Sequence, residues 1–266
     1  MVMPVPRTYF LLADRPVFTV KEAAEATCLE GRRLTQELAR QVRAGYFCPV
    51  RRGMYATVPV SLIERPEASP PVNPYLVGSK LTGPYFLGYH TALELHGVAH
   101  SEYRVVHVAS PKQVRSFEFQ GLEYRRVPAS AREVELASTT HRVEDQAVNV
   151  ASREWTLVQC ALRLDLAGGF EEYYRSVTGF DSLHPEKALA ATRFYKTRTL
   201  YNRVGLMLWA NRERWHVTAA DLAPFKRGLS KHPYYFGAAK GAAKYVREWN
   251  VFVPESMTEV IGLGEE

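Results

Sequence analysis

Residues 50–58 read "VRRGMYATV", and this stretch decides how the beginning of the chain is interpreted. A pair of arginines and Gly53 separate two β-prone apolar runs, "YFCPV" at 46–50 and "MYATV" at 54–58. Glycine reaches positive φ angles at no steric cost, which suits the turn of a β-hairpin. The pattern therefore predicts a hairpin that carries two positive charges at its tip.

Two predicted helices precede this hairpin. "TVKEAAEA" starts at Thr19 and has Glu22 three residues later, which is the spacing of a capping box that satisfies free backbone N–H groups. "GRRLTQELARQVRA" follows over 31–44, and Gly45 is expected to end it as a left-handed cap. Two short helices joined by a tight turn indicate a helix-turn-helix, and a hairpin directly after the second helix is typical of a wing.

Helical periodicity gives the second helix two different faces. Leu34, Leu38 and Val42 form an apolar stripe, which we expect to be buried. The opposite face carries arginines and a glutamine, with Glu37 as its only acid. A solvated face is the ordinary alternative, but the position next to a charged hairpin favours binding of duplex DNA. The predicted DNA-binding residues are Lys21, Arg32, Arg33, Gln36, Arg40, Arg43, Arg51 and Arg52.

Members of this set suit different parts of a DNA duplex. Arginine and glutamine form paired hydrogen bonds with guanine and adenine edges, so Arg33, Gln36 and Arg40 are predicted to contact bases. Lys21 and the hairpin arginines are predicted to contact phosphates, which fix the position of the protein but carry little sequence information.

The net charge of +6 is unevenly distributed along the chain. Residues 1–60 hold nine lysines and arginines against five acids, residues 61–182 hold twelve against fifteen, and residues 183–250 hold thirteen against four. Positive charge on both sides of a near-neutral middle favours a polyanionic partner such as nucleic acid. A basic protein without such a partner is the alternative.

Five prolines within 58–74 predict an extended, irregular linker, because proline lacks the N–H group and disfavours helix in the residue before it. We therefore predict an α+β protein with an N-terminal winged helix-turn-helix over 1–60, a linker over 61–74 and a larger mixed α/β domain over 75–266. The elements predicted in the larger domain are helices over 85–95 and 153–168, strands within 103–110, 117–127 and 145–152, two helices within 188–210 and a closing strand over 249–254.

The sequence gives little support to membrane or secreted proteins. No apolar run is long enough to span a bilayer, and the first residues lack the features of a secretory signal. The three cysteines are far apart and form neither a disulfide framework nor a metal-binding pair. We expect a cytoplasmic location.

Catalytic motifs are also missing, since the chain has no nucleophile elbow, phosphate-binding loop, zinc-protease motif or dinucleotide-binding turn. His90, His96 and His100 are interpreted as structural, because the spacing puts the first two on different helix faces. Glu118 and Glu123 on a predicted hairpin leave a DNA-cleaving enzyme as an alternative, although the rest of a metal-nuclease motif is absent. The sequence thus predicts a binding protein that uses no cofactor and no metal, and not an enzyme.

The order of these segments resembles the AbiEi antitoxins, the regulators of bacterial type IV toxin–antitoxin systems. The resemblance rests on "RRGMYATV", "GYHTALELHGV", "RVVHVAS", "VASREWTLVQCA" and the terminal "WNVFVP". Two positions depart from common winged-helix patterns, Cys28 where glycine is usual in the turn and Glu30 where serine or threonine usually caps the helix.

This resemblance implies a repressor that binds inverted repeats in the promoter of its own operon, acts in phage defence and neutralises a nucleotidyltransferase-like toxin. A regulator with a ligand-sensing C-terminal domain and no toxin is a further alternative. The basic C-terminal third is then predicted to bind either DNA phosphates or an acidic toxin surface, with a solvated face as the alternative. The residues of this second surface are Arg193, Lys196, Arg198 and Arg203.

Overall fold

The computed structural model describes residues 5–63, 70–237, 242–258 and 261–262. The helices are α1 (Arg7–Phe10), α2 (Val20–Thr27), α3 (Gly31–Arg43), α4 (Val60–Ile63), α5 (Pro74–Ser79), α6 (His90–Leu95), α7 (Ala131–Ala137), α8 (Arg153–Leu162), α9 (Phe170–Val177), α10 (Pro185–Phe194), α11 (Arg198–Ala210) and α12 (Ala219–Gly228). The strands are β1 (Val17–Thr19), β2 (Phe47–Arg51), β3 (Met54–Thr57), β4 (Phe86–Leu87), β5 (Val105–Ser110), β6 (Phe117–Phe119), β7 (Leu122–Pro128), β8 (Ser138–Val143), β9 (Gln146–Ala151), β10 (Tyr234–Tyr235), β11 (Ala243–Val246) and β12 (Val251–Pro254). This mixed content confirms the predicted α+β class.

The chain divides into two compact units. The first contains residues 1–85, 104–130 and 142–148, and the second contains 86–103, 131–141 and 149–266. The first unit is therefore discontinuous in sequence. The proposed boundaries at residues 60 and 75 remain a prediction.

In the first unit, the caps of α2 and α3 follow the sequence closely. Thr19 and Glu22 form the predicted capping box, with the Thr19 hydroxyl accepting from the Glu22 N–H and the Glu22 carboxylate accepting from the Thr19 N–H. Helix α2 ends at Thr27, and its cap residue Cys28 has a left-handed φ of 56°, so a cysteine takes the conformation for which glycine is usual. Glu30 makes no side-chain cap at the start of α3, and Gly45 with φ 80° follows the end of α3 as predicted.

Apolar burial sets the orientation of α3. Leu34 and Leu38 are buried in a cluster with Phe18 and Phe47, as the apolar stripe predicted, and Val42 packs against the same cluster. The Phe18 and Phe47 rings meet edge to face, with their centroids 4.9 Å apart. Aromatic rings bury large apolar areas, so this cluster holds α3 against the hairpin.

Strands β2 and β3 form the predicted hairpin within a three-stranded antiparallel sheet of order β1-β3-β2. The turn is one residue tighter than predicted, because Arg51 pairs with Met54 and leaves only Arg52 and Gly53 between the strands. Gly53 has a φ of 81°, which explains the glycine at this position. The sequence did not predict β1, a short strand that places β3 in the middle of the sheet.

The proline-rich stretch is only partly irregular. Residues 60–63 form α4 rather than extended chain, and α5 begins at Pro74, which occupies a first-turn position where a missing N–H costs no hydrogen bond. Residues 70–73 carry no regular structure, and residues 64–69 of the predicted linker lie outside the described residues.

The first unit also contains three strands from a later part of the chain. β5 and β7 pair in parallel over their whole length, from Val105 with Glu123 to Ser110 with Pro128. β6 and β7 form an antiparallel hairpin whose turn contains Gly121, as predicted. This hairpin brings Phe117 opposite Tyr124, and the two rings stack with their centroids 4.8 Å apart.

The second unit is mainly helical, and two predicted helices differ from the observed ones. The segment predicted as a helix over 85–95 is strand β4 followed by α6, because Tyr89 adopts a positive φ of 57° and interrupts any helix there. The helix predicted over 153–168 ends at Leu162, and a 3-10 turn over Leu164–Leu166 follows. Two helices within 188–210 are confirmed as α10 and α11, and the closing strand is confirmed as β12.

A buried ionic cluster lies within the second unit. His90 at the start of α6 has no exposed surface, with Nε2 3.0 Å from Glu172 Oε1 and Nδ1 3.2 Å from Glu94 Oε1. Although its burial acts in the opposite direction, hydrogen bonds from Ser101, Ser176 and His90 lower the pKa of Glu172 to about 2. Burial likewise opposes the charge on His90, but the two carboxylates raise the pKa of His90 above its usual value.

These shifts predict how stability changes with acid. A carboxyl whose pKa is depressed in the folded state stabilises that state above its unfolded pKa and loses this contribution as the pH falls. The contribution of Glu172 to the free energy of unfolding should therefore fall by roughly 3 kcal/mol as the pH decreases from 4.5 to about 2. The free energies of unfolding of the wild type and of Glu172→Gln, measured with urea, should differ most near pH 6 and approach each other as the pH falls toward about 2. Glu171→Gln, at an exposed residue paired with Arg175, is the control and should follow the wild type.

Candidate nucleic-acid interface

The face of α3 opposite its buried stripe is open to solvent. Arg32, Arg33 and Gln36 are exposed, and none of their side chains forms a hydrogen bond or ion pair with another residue in the described part of the chain. Their guanidinium and amide groups are therefore available as donors, and the Gln36 amide also offers an acceptor. These three residues of the predicted DNA-binding set meet the first requirement for a contact with bases or phosphates.

Arg40 is exposed on the same helix but is already paired. Its Nε and Nη2 each donate to a Glu37 carboxylate oxygen at 3.0 Å, which is a bidentate ion pair. Glu37 also accepts from the Thr8 hydroxyl and the Gln41 amide, both at 2.7 Å. Hydrogen bonding from Arg40, together with these two contacts, lowers the pKa of Glu37 to about 2. A base contact by Arg40 would require it to leave Glu37.

Two further members of the predicted set make weak local contacts. Lys21 lies 3.9 Å from Glu25 on α2, and both side chains are largely exposed. The Arg43 Nε donates to the Ala39 carbonyl within α3 at 3.3 Å. An exposed ion pair such as that of Lys21 contributes little to stability, so Lys21 can exchange it for phosphate at small cost. Arg43 gives up only a hydrogen bond within its own helix.

The two hairpin arginines differ in environment. Arg52 occupies the turn and is exposed, as the sequence predicted. Arg51 is the last residue of β2 and is half-buried, with its guanidinium carbon 4.8 Å from the centre of the Phe117 ring. Its Nη1 atom is buried and has no hydrogen-bond partner among the described residues. The expectation that Arg51 lies at the tip of the hairpin is therefore corrected, because it stacks on an aromatic ring beside the turn.

The predicted second basic surface loses one of its four members. Arg193, Lys196 and Arg198 are exposed around the junction between α10 and α11. Arg203 is half-buried, donates to the Ala161 carbonyl at 2.7 Å and packs over the Phe236 ring. Burial also lowers the pKa of Arg203. Because its guanidinium is held by these internal contacts, the prediction that Arg203 belongs to the exposed basic surface is wrong.

Three of the side chains considered for metal chemistry, those of His90, His96 and Glu123, are engaged in structural contacts. His90 belongs to the buried cluster with Glu172, His96 Nε2 lies 2.8 Å from the Ala151 carbonyl oxygen, and the His100 N–H donates to Glu172. Glu118 and Glu123 face each other across the β6–β7 hairpin, where Glu123 is ion-paired with Arg125. Within the described residues, no group of three or more His, Cys, Asp or Glu side chains is placed to hold a metal ion.

Glu37 has an organising role that goes beyond being the single acid of the charged face, because its carboxylate joins α1, Arg40 and Gln41. The spacing contained a usable signal, since residues three and four positions apart on a helix are neighbours. The contact with Thr8 spans 29 positions and has no local signal.

One comparison with known proteins identifies a family domain within the chain. Residues 86–208 match the family model described as the AbiEi antitoxin C-terminal domain, which indicates a role in a toxin–antitoxin system. This match is consistent with an antitoxin of the AbiEi family, as the sequence resemblance predicted. No curated protein matches the chain.

A solved structure supports the fold over nearly the whole length. The crystal structure of the RV2827C protein from Mycobacterium tuberculosis aligns with 99% of this chain and 97% of that one, with a TM-score of 0.64. The two sequences are 16% identical, so the similarity concerns the fold alone. In the described part of the chain, no helix combines the length and apolar character needed to cross a bilayer.

The contacts of Glu37 generate a stability prediction. Replacing Glu37 with alanine removes the acceptor for Thr8, Arg40 and Gln41, and we expect the free energy of unfolding to fall by about 1–3 kcal/mol. Glu25→Ala removes only an exposed pair with Lys21 and should change it by less than about 0.5 kcal/mol. Urea denaturation of both variants measures the difference, and equal effects would contradict the role assigned to Glu37.

Proposed function

We propose that this protein is a DNA-binding antitoxin that represses its own operon and neutralises a nucleotidyltransferase-like toxin. The observation that carries the DNA-binding part is the exposed and unpaired face of α3, with Arg32, Arg33 and Gln36, in the same compact unit as the hairpin turn at Arg52. The antitoxin part rests on the family match over residues 86–208. The protein acts in the cytoplasm by binding and not by catalysis.

In this proposal the N-terminal elements work as a winged helix-turn-helix. Helix α2, the turn at Cys28 and helix α3 supply the helix-turn-helix, and the β2–β3 hairpin is the wing. Helix α3 enters the major groove, which is wide enough for a helix and presents a distinct donor and acceptor pattern for each base pair. Arg33 and Gln36 contact base edges, and Arg40 does so after it exchanges Glu37 for DNA.

Phosphate contacts come from the periphery of this surface. Arg32, Arg43 and Lys21 lie on the helices, and Arg52 lies in the wing turn. These contacts release condensed counterions, so the logarithm of the binding constant should fall linearly with the logarithm of the salt concentration. The slope is about −0.9 for each phosphate that is neutralised.

A binding experiment tests the division between base and phosphate contacts. The duplex carries the region upstream of the protein's own reading frame, and fluorescence anisotropy gives affinities between about 50 and 300 mM salt, a range over which phosphate contacts change affinity strongly. Arg52→Ala should reduce the steepness of the salt dependence by about 1 and weaken binding to upstream and unrelated duplexes alike. Arg33→Ala should relax the preference at one base position in a binding-site selection, at a cost of about 1–3 kcal/mol in discrimination.

The control for the removal of charge is Arg132→Ala, which removes an exposed arginine that is already paired with Glu135 on α7. It should leave both the salt dependence and the selected sequence unchanged. The DNA-binding part is overturned if the wild type does not prefer its upstream region to unrelated DNA at low salt. The assignment of Arg33 alone is overturned if its variant selects the wild-type sequence.

Toxin neutralisation is tested by co-expression with the adjacent reading frame. The wild type should restore growth and co-purify with the toxin, and a variant that lacks Arg33, Gln36 and Arg52 side chains should still do so. Replacing Arg193, Lys196 and Arg198 with glutamate reverses the charge of the exposed second basic surface. Loss of rescue with normal DNA binding would assign that surface to the toxin, whereas a shallower salt dependence with full rescue would assign it to DNA. Normal behaviour in both assays would make it a solvated face.

A further inference from the structure

The loop between β5 and β6, which lies beside the wing within the first compact unit, is also basic. The loop from β5 to β6 reads "PKQVRS" over 111–116, and its two cations, Lys112 and Arg115, are exposed. The side chain of neither one forms a hydrogen bond or ion pair with another residue in the described ranges. They resemble the free arginines of α3 in this respect, although they lie far from them in sequence.

The conformation of this loop is fixed by Arg126 of β7. Its guanidinium donates to the Ser110 carbonyl at 3.0 and 2.9 Å, to the Pro111 carbonyl at 3.3 Å and to the Gln113 side chain at 3.2 Å. The Ser110 hydroxyl also accepts from the Lys112 N–H and donates to the Pro84 carbonyl. A segment tied by this many donors presents its side chains without a large ordering cost on binding.

The stack of Arg51 on Phe117 joins the loop to the wing. Phe117 follows the loop directly and Arg115 is only two residues before it, while Arg51 directly precedes the wing turn at Arg52. Behind the contact, the Phe117 ring stacks on Tyr124, which is buried. The guanidinium, the two rings and the turn thus form one continuous support, and both cationic segments extend from it.

The acids near this support do not cancel its charge. Glu118 alternates with Phe117 on β6, so its side chain projects from the opposite face of the strand. Glu123 is neutralised by Arg125, with two hydrogen bonds between them. Neither acid therefore lies unpaired on the face of the β6–β7 hairpin whose Phe117 ring contacts Arg51.

We propose that Lys112 and Arg115 extend the wing and bind the phosphate backbone of duplex DNA beyond the reach of Arg52. Arg51 acts here as a positioning residue, which fixes the wing and the 111–116 loop in one relative arrangement through Phe117. This inference rests on the proposed DNA-binding function and adds a phosphate-binding segment to it. The segment contributes affinity and register but no base preference, because phosphate contacts carry no sequence information directly.

The test measures salt dependence with the full-length protein and the upstream duplex. Lys112→Ala/Arg115→Ala should reduce the steepness of the salt dependence by about 1 for each phosphate that is no longer neutralised, and should weaken upstream and unrelated duplexes by the same factor. Arg132→Ala/Arg142→Ala is the matched control, because it removes two exposed arginines that are each paired with an acid. The control should keep the wild-type slope. Thermal unfolding verifies that all variants are folded.

A second variant tests the positioning role. Arg51→Lys keeps the charge but removes the planar group that stacks on the ring. If Arg51 positions the wing, this variant should weaken DNA binding although its charge is unchanged, whereas a simple phosphate contact would tolerate lysine. Full wild-type affinity would overturn the positioning role.

The outcomes separate this inference from the proposed function. If the wild type binds its upstream region, Arg52→Ala weakens binding and the 112/115 variant keeps the wild-type slope, the extended wing is wrong and the proposed function stands. If the wild type ignores the upstream region at low salt, the proposed function fails and this inference fails with it. A shallower slope for the 112/115 variant alone among the double variants supports the extension.

Discussion

The candidate interface depends on how α3 is held. The hydrophobic effect favours burial of Leu34 and Leu38, and both side chains are buried in the cluster that contains Phe18 and Phe47. Once that face is fixed, the helical periodicity leaves Arg33 and Gln36 in solvent, and the Glu37 carboxylate ties the flank of the helix to Thr8. The positive face is thus a consequence of apolar burial on the other side of α3, and the contacts of Glu37 reinforce it.

Much of the N-terminal architecture could be predicted because its signals are local. The capping box at Thr19, the stripe on α3 and the turn glycine at Gly53 each act over a few residues, and the structure has all three. The environment of Arg51 could not be predicted, because its partner Phe117 comes from a strand much later in the chain. The environment of Arg203 could not be predicted for the same reason, since its carbonyl partner Ala161 comes from another helix. Charge is visible in a sequence, but whether a charge is free depends on distant residues.

The predicted DNA-binding residues differ in the contacts that they would have to break in order to bind DNA. The side chains of Arg33 and Gln36 have no partner among the described residues. Arg40 would have to break its ion pair with Glu37, and Arg51 already packs on the Phe117 ring. An arginine that exchanges an ion pair for a base gains less net free energy than one that is free, because the broken contact is subtracted. Affinity should therefore be concentrated in the first turns of α3, near its N-terminus, where the helix dipole also favours phosphate.

The discontinuity of the first unit has a consequence for synthesis on the ribosome. Strand β3 lies between β1 and β2, so this sheet closes only after residue 57 has emerged. The ring that supports Arg51 arrives with residue 117, and the unit includes residues up to 148. Domains form as units once their residues are available, so a nascent chain should acquire its complete basic surface only after residue 148 has been translated. A prematurely terminated product would carry the same arginines without the scaffold that orients them.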